Sequence, residues 1–137
     1  MKTVYFNYTY NHTLDAKNRL FIPAKFREQL GDEFVIFKGP EKCLYVYDKE
    51  TFEEVSRQFI NHPNRKVQRS FFSQVSDASA DKQGRVTLTA DQVEYANLKK
   101  DAVIIGAGQR IEIWSAEEYS DATISMSQLD DIDEFIF

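Results

Sequence analysis

The stretch Asp15-Ala-Lys-Asn-Arg19-Leu-Phe-Ile22 returns 66 residues later as Asp81-Lys-Gln-Gly-Arg85-Val-Thr-Leu88. Val35-Ile-Phe37 aligns with Val103-Ile-Ile105 at a shift of 68, and Leu44-Tyr-Val-Tyr47 with Ile111-Glu-Ile-Trp114 at a shift of 67. Phe52 then matches Tyr119. So small a drift means one supersecondary unit written twice, with length changes confined to loops or helix ends. Each copy has only about 60 residues, too few to bury a good core alone. The two halves are therefore expected to pair into one body.

Both copies share an outline. Alternating apolar residues predict strands over 19–22 and 85–88. Pro23 can open a helix over 24–30, and Gly31 suits its end. Thr89 is a fitting N-cap for a second helix over 90–96. Strands are predicted over 34–37, 44–47, 102–105 and 110–114, with turns at Gly39-Pro40 and Gly106-Ala-Gly108. A helix closes each copy, the second opening with Ser115 and Glu118 in capping-box spacing. Asn61-His-Pro-Asn64 breaks helix, and 67–75 resumes it. Phe71 and Phe72 read as core. The expected division is 1–60 for the first half, 61–76 for a connecting segment, 77–122 for the second half and 123–137 for an acidic tail.

Composition bears on compartment and partners. At 42% hydrophobic and 28% charged, the chain has what a globular core needs. A single cysteine, Cys43, allows no disulfide within the chain and fits a reducing compartment. No apolar run approaches the roughly 18 residues that span a bilayer. The start, MKTVYFNYTYNHT, lacks a signal peptide's apolar region. A cytoplasmic location is expected. The net charge of −5 looks wrong for a nucleic-acid binder, but its distribution is uneven. Residues 117–137 carry seven acids (Glu117, Glu118, Asp121, Asp130, Asp131, Asp133, Glu134) and no lysine or arginine. The first 27 residues set Lys2, Lys17, Arg19, Lys25 and Arg27 against Asp15 alone. Binding follows local potential rather than the total, so a basic face is compatible with an acidic chain.

Three segments together resemble the MraZ family of bacterial transcriptional regulators: Asn11-His-Thr-Leu-Asp-Ala-Lys-Asn-Arg-Leu-Phe-Ile-Pro-Ala-Lys-Phe-Arg27, Asp81-Lys-Gln-Gly-Arg-Val-Thr-Leu88 and Gly108-Gln-Arg-Ile-Glu-Ile-Trp114. The resemblance runs from about Tyr8 to Tyr119. It implies a mainly β fold with short helices (α+β), built as a tandem AbrB-like double swapped-hairpin β-barrel with a pseudo-two-fold axis. It implies a homo-oligomer, a ring, that binds direct repeats in double-stranded DNA upstream of its own division and cell wall gene cluster, represses that cluster and sits at the nucleoid. It places the DNA-contacting signature at Asp15 and Arg19 and again at Asp81 and Arg85. Many members carry Gly before the first motif arginine, where this chain has Asn18; the second copy keeps Gly84. Asn tolerates positive φ better than most residues, so the turn can survive.

Arginine suits this task because its planar fork donates in pairs to phosphate or to a guanine edge. Lys17, Arg19 and Lys25, with Lys82 and Arg85, are expected to form one face, arginines reading bases and lysines holding phosphates. Asp15 and Asp81 shape the loops, by bonding backbone N–H groups or steering the arginines. The plain structural alternative is an Asx-turn with a solvated arginine. No catalytic or metal constellation is evident, and no cofactor is expected. His12 flanks the first motif, His62 is far from it, and neither has partners at ligand spacing. Cys43, just before a strand, reads as partly buried rather than nucleophilic. The alternating run Tyr5-Phe-Asn-Tyr-Thr-Tyr10 reads as a strand that packs or pairs between subunits, ahead of a stacking platform for single strands. Phe135-Ile-Phe137 reads as a docking peptide or a disordered end. The rival function is an AbrB-type antitoxin-like protein whose C-terminal tail binds a protein partner.

Overall fold

The computed structural model describes residues 5–136. Eight strands and five α-helices follow the repeat: β1 Thr9–Thr13, β2 Arg19–Phe21, α1 Ala24–Leu30, β3 Phe34–Lys38, β4 Leu44–Asp48, α2 Lys49–Ile60 and α3 Arg65–Phe72; then β5 Val75–Ala78, β6 Arg85–Thr87, α4 Ala90–Tyr95, β7 Asp101–Gly106, β8 Ile111–Ser115 and α5 Ala116–Tyr119. Two 3-10 turns, Met126–Gln128 and Ile132–Glu134, lie in the tail.

The copies exchange strands. One antiparallel sheet runs in the order β1-β7-β8-β4-β3-β5, and β2 pairs with β6 in a separate ribbon. The leading strand of the first copy, β1, thus pairs with β7 of the second, while β5 of the second pairs with β3 of the first. Neither copy completes its own sheet, which explains why the sequence carries two. Register locates the pseudo-two-fold axis. Leu20 faces Val86 and Tyr45 faces Glu112, each opposite its own equivalent in the repeat.

Between sheet and ribbon sits the main core. Leu20, Ile22, Phe26, Phe34, Ile36, Leu44, Val46, Val86, Leu88, Ile104, Ile111 and Ile113 are all 2% exposed or less, so side chains from both copies fill one interior. The backbone ladder itself is open, so the barrel-like interior is bounded by a six-stranded sheet and a separate ribbon rather than by a continuous ring of strands. β1 and β5 are edges, and the three-residue ribbon bonds to itself rather than bridging them. Enclosure is completed by side chains of the ribbon, α1 and α4. β4 and β8 are buried on both faces. The outer face carries a second cluster of Cys43, Tyr45, Tyr47, Val103 and Trp114, covered in part by α2 and α5.

Several expectations change. The N-terminal aromatic segment pairs inside the chain: β1 lies on β7, and Phe6 exchanges two backbone hydrogen bonds with Gly108 at 2.8 and 2.9 Å. A Cβ on Gly106 would sit 2.1 Å from the Asn7 nitrogen, so only glycine admits this segment. The connecting helix starts earlier and stops earlier than 67–75, because Asn64 caps it by accepting from the Lys66 N–H and Val75 enters β5. Thr89 and Gln92 form a full capping box, whereas at α5 only the Ser115 hydroxyl caps, accepting from the Glu118 N–H at 3.2 Å. Cys43 is fully rather than partly buried. Phe71 is core, stacked 3.9 Å from Phe59, but Phe72 is 38% exposed. Among the described residues, no helix is long and apolar enough to cross a membrane.

Candidate nucleic-acid interface

The two Asp-x-x-x-Arg turns fold alike. In the first, the Asp15 carboxylate accepts through Oδ1 from the N–H groups of Lys17 and Arg19, at 2.9 and 2.8 Å, and through Oδ2 from Arg19 Nε at 2.7 Å. In the second, Asp81 Oδ1 accepts from the N–H groups of Gln83 and Arg85, both at 2.9 Å, and Oδ2 from Arg85 Nε at 3.2 Å. Backbone bonds close both loops: Asn18 N–H donates to Asp15 O at 3.0 Å, and Gly84 N–H to Asp81 O at 2.9 Å. One aspartate thus makes an Asx-turn and aims an arginine at once. Its positions in the sequence follow from that reach: two residues on for the turn, four for the fork.

Both loops need a left-handed residue before the arginine. Asn18 has φ 59 and Gly84 φ 83, so the replacement of Gly by Asn in the first copy leaves the turn intact. At Gly84 space matters too. A Cβ there would lie 2.8 Å from Arg27 Cζ and 2.9 Å from Phe21 Cε1.

The ribbon then joins the loops. Leu20 and Val86 point into the core, so Arg19, Phe21, Arg85 and Thr87 share the opposite face. The ribbon is lengthened past its strands by Ile22 N–H donating to Gly84 O and Leu88 N–H to Asn18 O, at 2.9 and 2.8 Å. Arg85 Nη1 approaches Asp15 Oδ2 to 3.9 Å, so the carboxylate that aims Arg19 also faces the arginine of the other copy. The pseudo-dyad therefore brings Arg19 and Arg85 together around Asp15.

Hydrogen bonding keeps both aspartates ionised. The Arg19 N–H, opposed by slight desolvation and aided by the Arg19 guanidinium, holds Asp15 below the ordinary carboxylate range. Asp81 is lowered in the same way, chiefly by the Arg85 N–H. Lys17 and Lys82 are exposed on the loops. Lys25 stands on α1 and donates to Asn7 Oδ1 at 2.8 Å, tied to the N-terminal segment rather than to either loop. Over 15–27 and 81–87 six cations meet two acids. Lys2, part of the basic N-terminal count, lies outside the described residues.

Two more residues join this face: Arg27, counted among the N-terminal cations but not expected to contact the loops, and His12, read as flanking the first motif. Arg27 donates from Nε to Ile22 O at 2.9 Å and lays its guanidinium 5.3 Å from the centre of the Phe21 ring. His12 meets the same ring at 5.1 Å. The sequence signal for Arg27 was its place one position after buried Phe26, on the shoulder of α1 that turns toward the ribbon. The other histidine is elsewhere, with His62 Nδ1 accepting from the Asn64 N–H. Among the described residues no group of three His, Cys, Asp or Glu could hold a metal ion. Burial pushes the Cys43 thiol up, away from the thiolate a nucleophile needs, and the Glu112 charge adds to this.

Comparison with known proteins agrees with the doubled architecture. The model of the family described as "MraZ protein, putative antitoxin-like" matches residues 5–75 and again residues 71–134. The chain is 44% identical over 128 residues to a protein of Clostridium acetobutylicum, covering 88% of this chain and 90% of that one. It is similar to the same degree, 44% over 128 residues, to one of Clostridium tetani. To one of Heliobacterium modesticaldum it is 47% identical over 116 residues, 81% of each chain. All three are named transcriptional regulator MraZ.

Proposed function

We propose that this chain, which belongs to the MraZ family, is a transcriptional regulator, not an enzyme, that reads duplex DNA with the β2–β6 ribbon. One observation carries the reading: Arg19 and Arg85 leave the same face of a two-stranded ribbon, each aimed by its own aspartate. The major groove is about wide enough for such a ribbon. With Nε held by the carboxylate, the terminal NH2 groups of each fork supply the paired donors that guanine O6 and N7 accept. Lys17 and Lys82, on the loop tips, hold phosphates, and Lys25 and Arg27 extend the same charge. The aspartates would repel a phosphate if bare. Paired with arginine, they serve as struts.

One such face binds weakly and with strong salt dependence. We propose that several copies, arranged as a ring, engage direct repeats upstream of the chain's own division and cell wall gene cluster and repress it at the nucleoid. Repeats about 10 bp apart would put each box on one side of the duplex, and avidity would follow. The test is anisotropy titration of the full-length protein with a labelled fragment from its own upstream region against random DNA of equal length. Specific binding that weakens steeply with salt is expected. Equal affinity for both fragments would overturn the reading.

A further inference from the structure

We propose that a groove on the outer face of the sheet receives the acidic C-terminal tail of a neighbouring copy. The groove, about 550 Å³, is lined by Phe37, Tyr45, Tyr47, Val55, Phe59 and Phe71, between β3–β4 and the helices α2 and α3. Its floor is firm, since Phe71 stacks between Phe59 and Phe52 at 3.9 and 5.7 Å. Apolar walls this open call for an apolar occupant.

Charge identifies which one. Helix α3 carries Arg65, Lys66 and Arg69 and no acid, and Lys66 lines the groove. Lys38, also on the lining, is paired with Asp91. The acids of α2, Glu50, Glu53 and Glu54, are exposed, and none lines the groove. The tail is the converse of this surface. Residues 121–134 hold five acids and no cation, interleaved with Ile124, Met126, Leu129 and Ile132. Ile124 is 59% exposed, Met126 54% and Ile136 99%, an unusual display of apolar surface in so acidic a segment. Phe137 lies outside the described residues.

The second copy is favoured over the chain's own tail by position. The tail follows β8 and α5 of the second copy, whereas the groove is built from β3, β4, α2 and α3 of the first, and no described tail residue lines it. Tail and groove are different patches, so the contact is head-to-tail and repeats from copy to copy, closing a ring where the rotation allows. The proposal rests on the self-association stated under Proposed function and supplies its interface. DNA is the lesser fit for α3, because β5 rises about 3.3 Å per residue and so holds the helix well away from the Asp81 loop.

The test co-expresses two full-length versions, one tagged and carrying Val67→Cys in the groove, the other untagged and carrying Ile136→Cys in the tail. The native Cys43 is fully buried and takes no part. Mild oxidation should give a disulfide-linked heterodimer. Lys66→Glu with Arg69→Glu in the groove chain should cut its yield about fivefold, the scale of a few exposed ion pairs. Asp130→Lys with Asp131→Lys in the tail chain should restore it. Copies that co-sediment but do not cross-link would overturn the groove assignment and leave assembly standing. Copies that do not associate at all would remove the self-association itself. In a third version carrying both cysteines, a bond formed only within one chain would assign the groove to the chain's own tail. Loss of DNA binding by Lys66→Glu/Arg69→Glu with cross-linking unchanged would assign α3 to DNA and overturn the proposal.

Discussion

Gly84→Ala should destabilise the protein more than Asn18→Ala, although both residues fill the same place in the repeat. At φ 83 an L side chain costs about 1–2 kcal/mol. The added methyl would also sit 2.8 Å from Arg27 Cζ and 2.9 Å from Phe21 Cε1. Arg27 would have to swing away, losing its 2.9 Å bond to Ile22 O and its stacking on Phe21. Those losses are worth about 1–2 kcal/mol together. Alanine's stiffer unfolded chain returns about 0.5 kcal/mol, leaving a net cost of about 1.5–3.5 kcal/mol. Asn18 already has a Cβ, so its change to alanine should cost only about 0.5–1 kcal/mol. Urea unfolding at one fixed protein concentration measures both, with concentration held because the proposed self-association would shift the midpoint. In an Arg27→Ala background, Gly84→Ala should fall to about 0.5–1.5 kcal/mol. Equal costs for the two substitutions, or no relief from removing Arg27, would refute the claim that the second loop is packed against that side chain.

Acid should loosen the loops. Asp15 and Asp81 have folded values below their unfolded ones, so their contribution is complete above the ordinary carboxylate value near pH 4 and fades as pH falls through the lowered values. Unfolding midpoints from pH 7 to pH 3 should drop more for the wild type than for Asp15→Asn/Asp81→Asn. Arg110→Ala should cost about 2–4 kcal/mol in urea unfolding, because it strands Glu112, which is 6% exposed and accepts from Arg110 at 2.7–2.8 Å and from Trp114 Nε1 at 2.9 Å. Cys43 should react with a thiol reagent only on unfolding, giving a rate that tracks denaturant; fast labelling of the native protein would contradict its burial.

The repeat made much of the fold readable. Alternation in Arg19-Leu-Phe marked a strand because one face is core, and Leu44-Tyr-Val-Tyr read as a short apolar run because both of its faces are buried. What was hidden lay in strands whose existence depends on a partner. Val75-Ser-Asp-Ala78 has one β-branched residue and no clean pattern, and it becomes a strand by lying on β3. Only its place, 66 residues beyond Thr9–His12, carried a signal. The N-terminal strand was visible, but its partner was not, since the exchange between halves is a property of the pair. Whether the ladder closes was hidden for the same reason: side chains can seal an interior whose backbone ladder stays open. At the proposed DNA face the two aspartates and arginines were legible from spacing. Arg27 was not, because its link to Phe21 and Gly84 crosses from helix to ribbon.

The most direct test of the account is DNA binding by Arg19→Ala, compared with wild type and Arg85→Ala on the same upstream fragment, after circular dichroism and sedimentation show each variant folded and assembled like wild type. Loss of specific binding in both arginine variants, each by about tenfold or more as expected for a bidentate base contact, is the predicted result. Specific binding undiminished in Arg19→Ala and Arg85→Ala would contradict it, leaving the two loops as turns and the ribbon as structure alone.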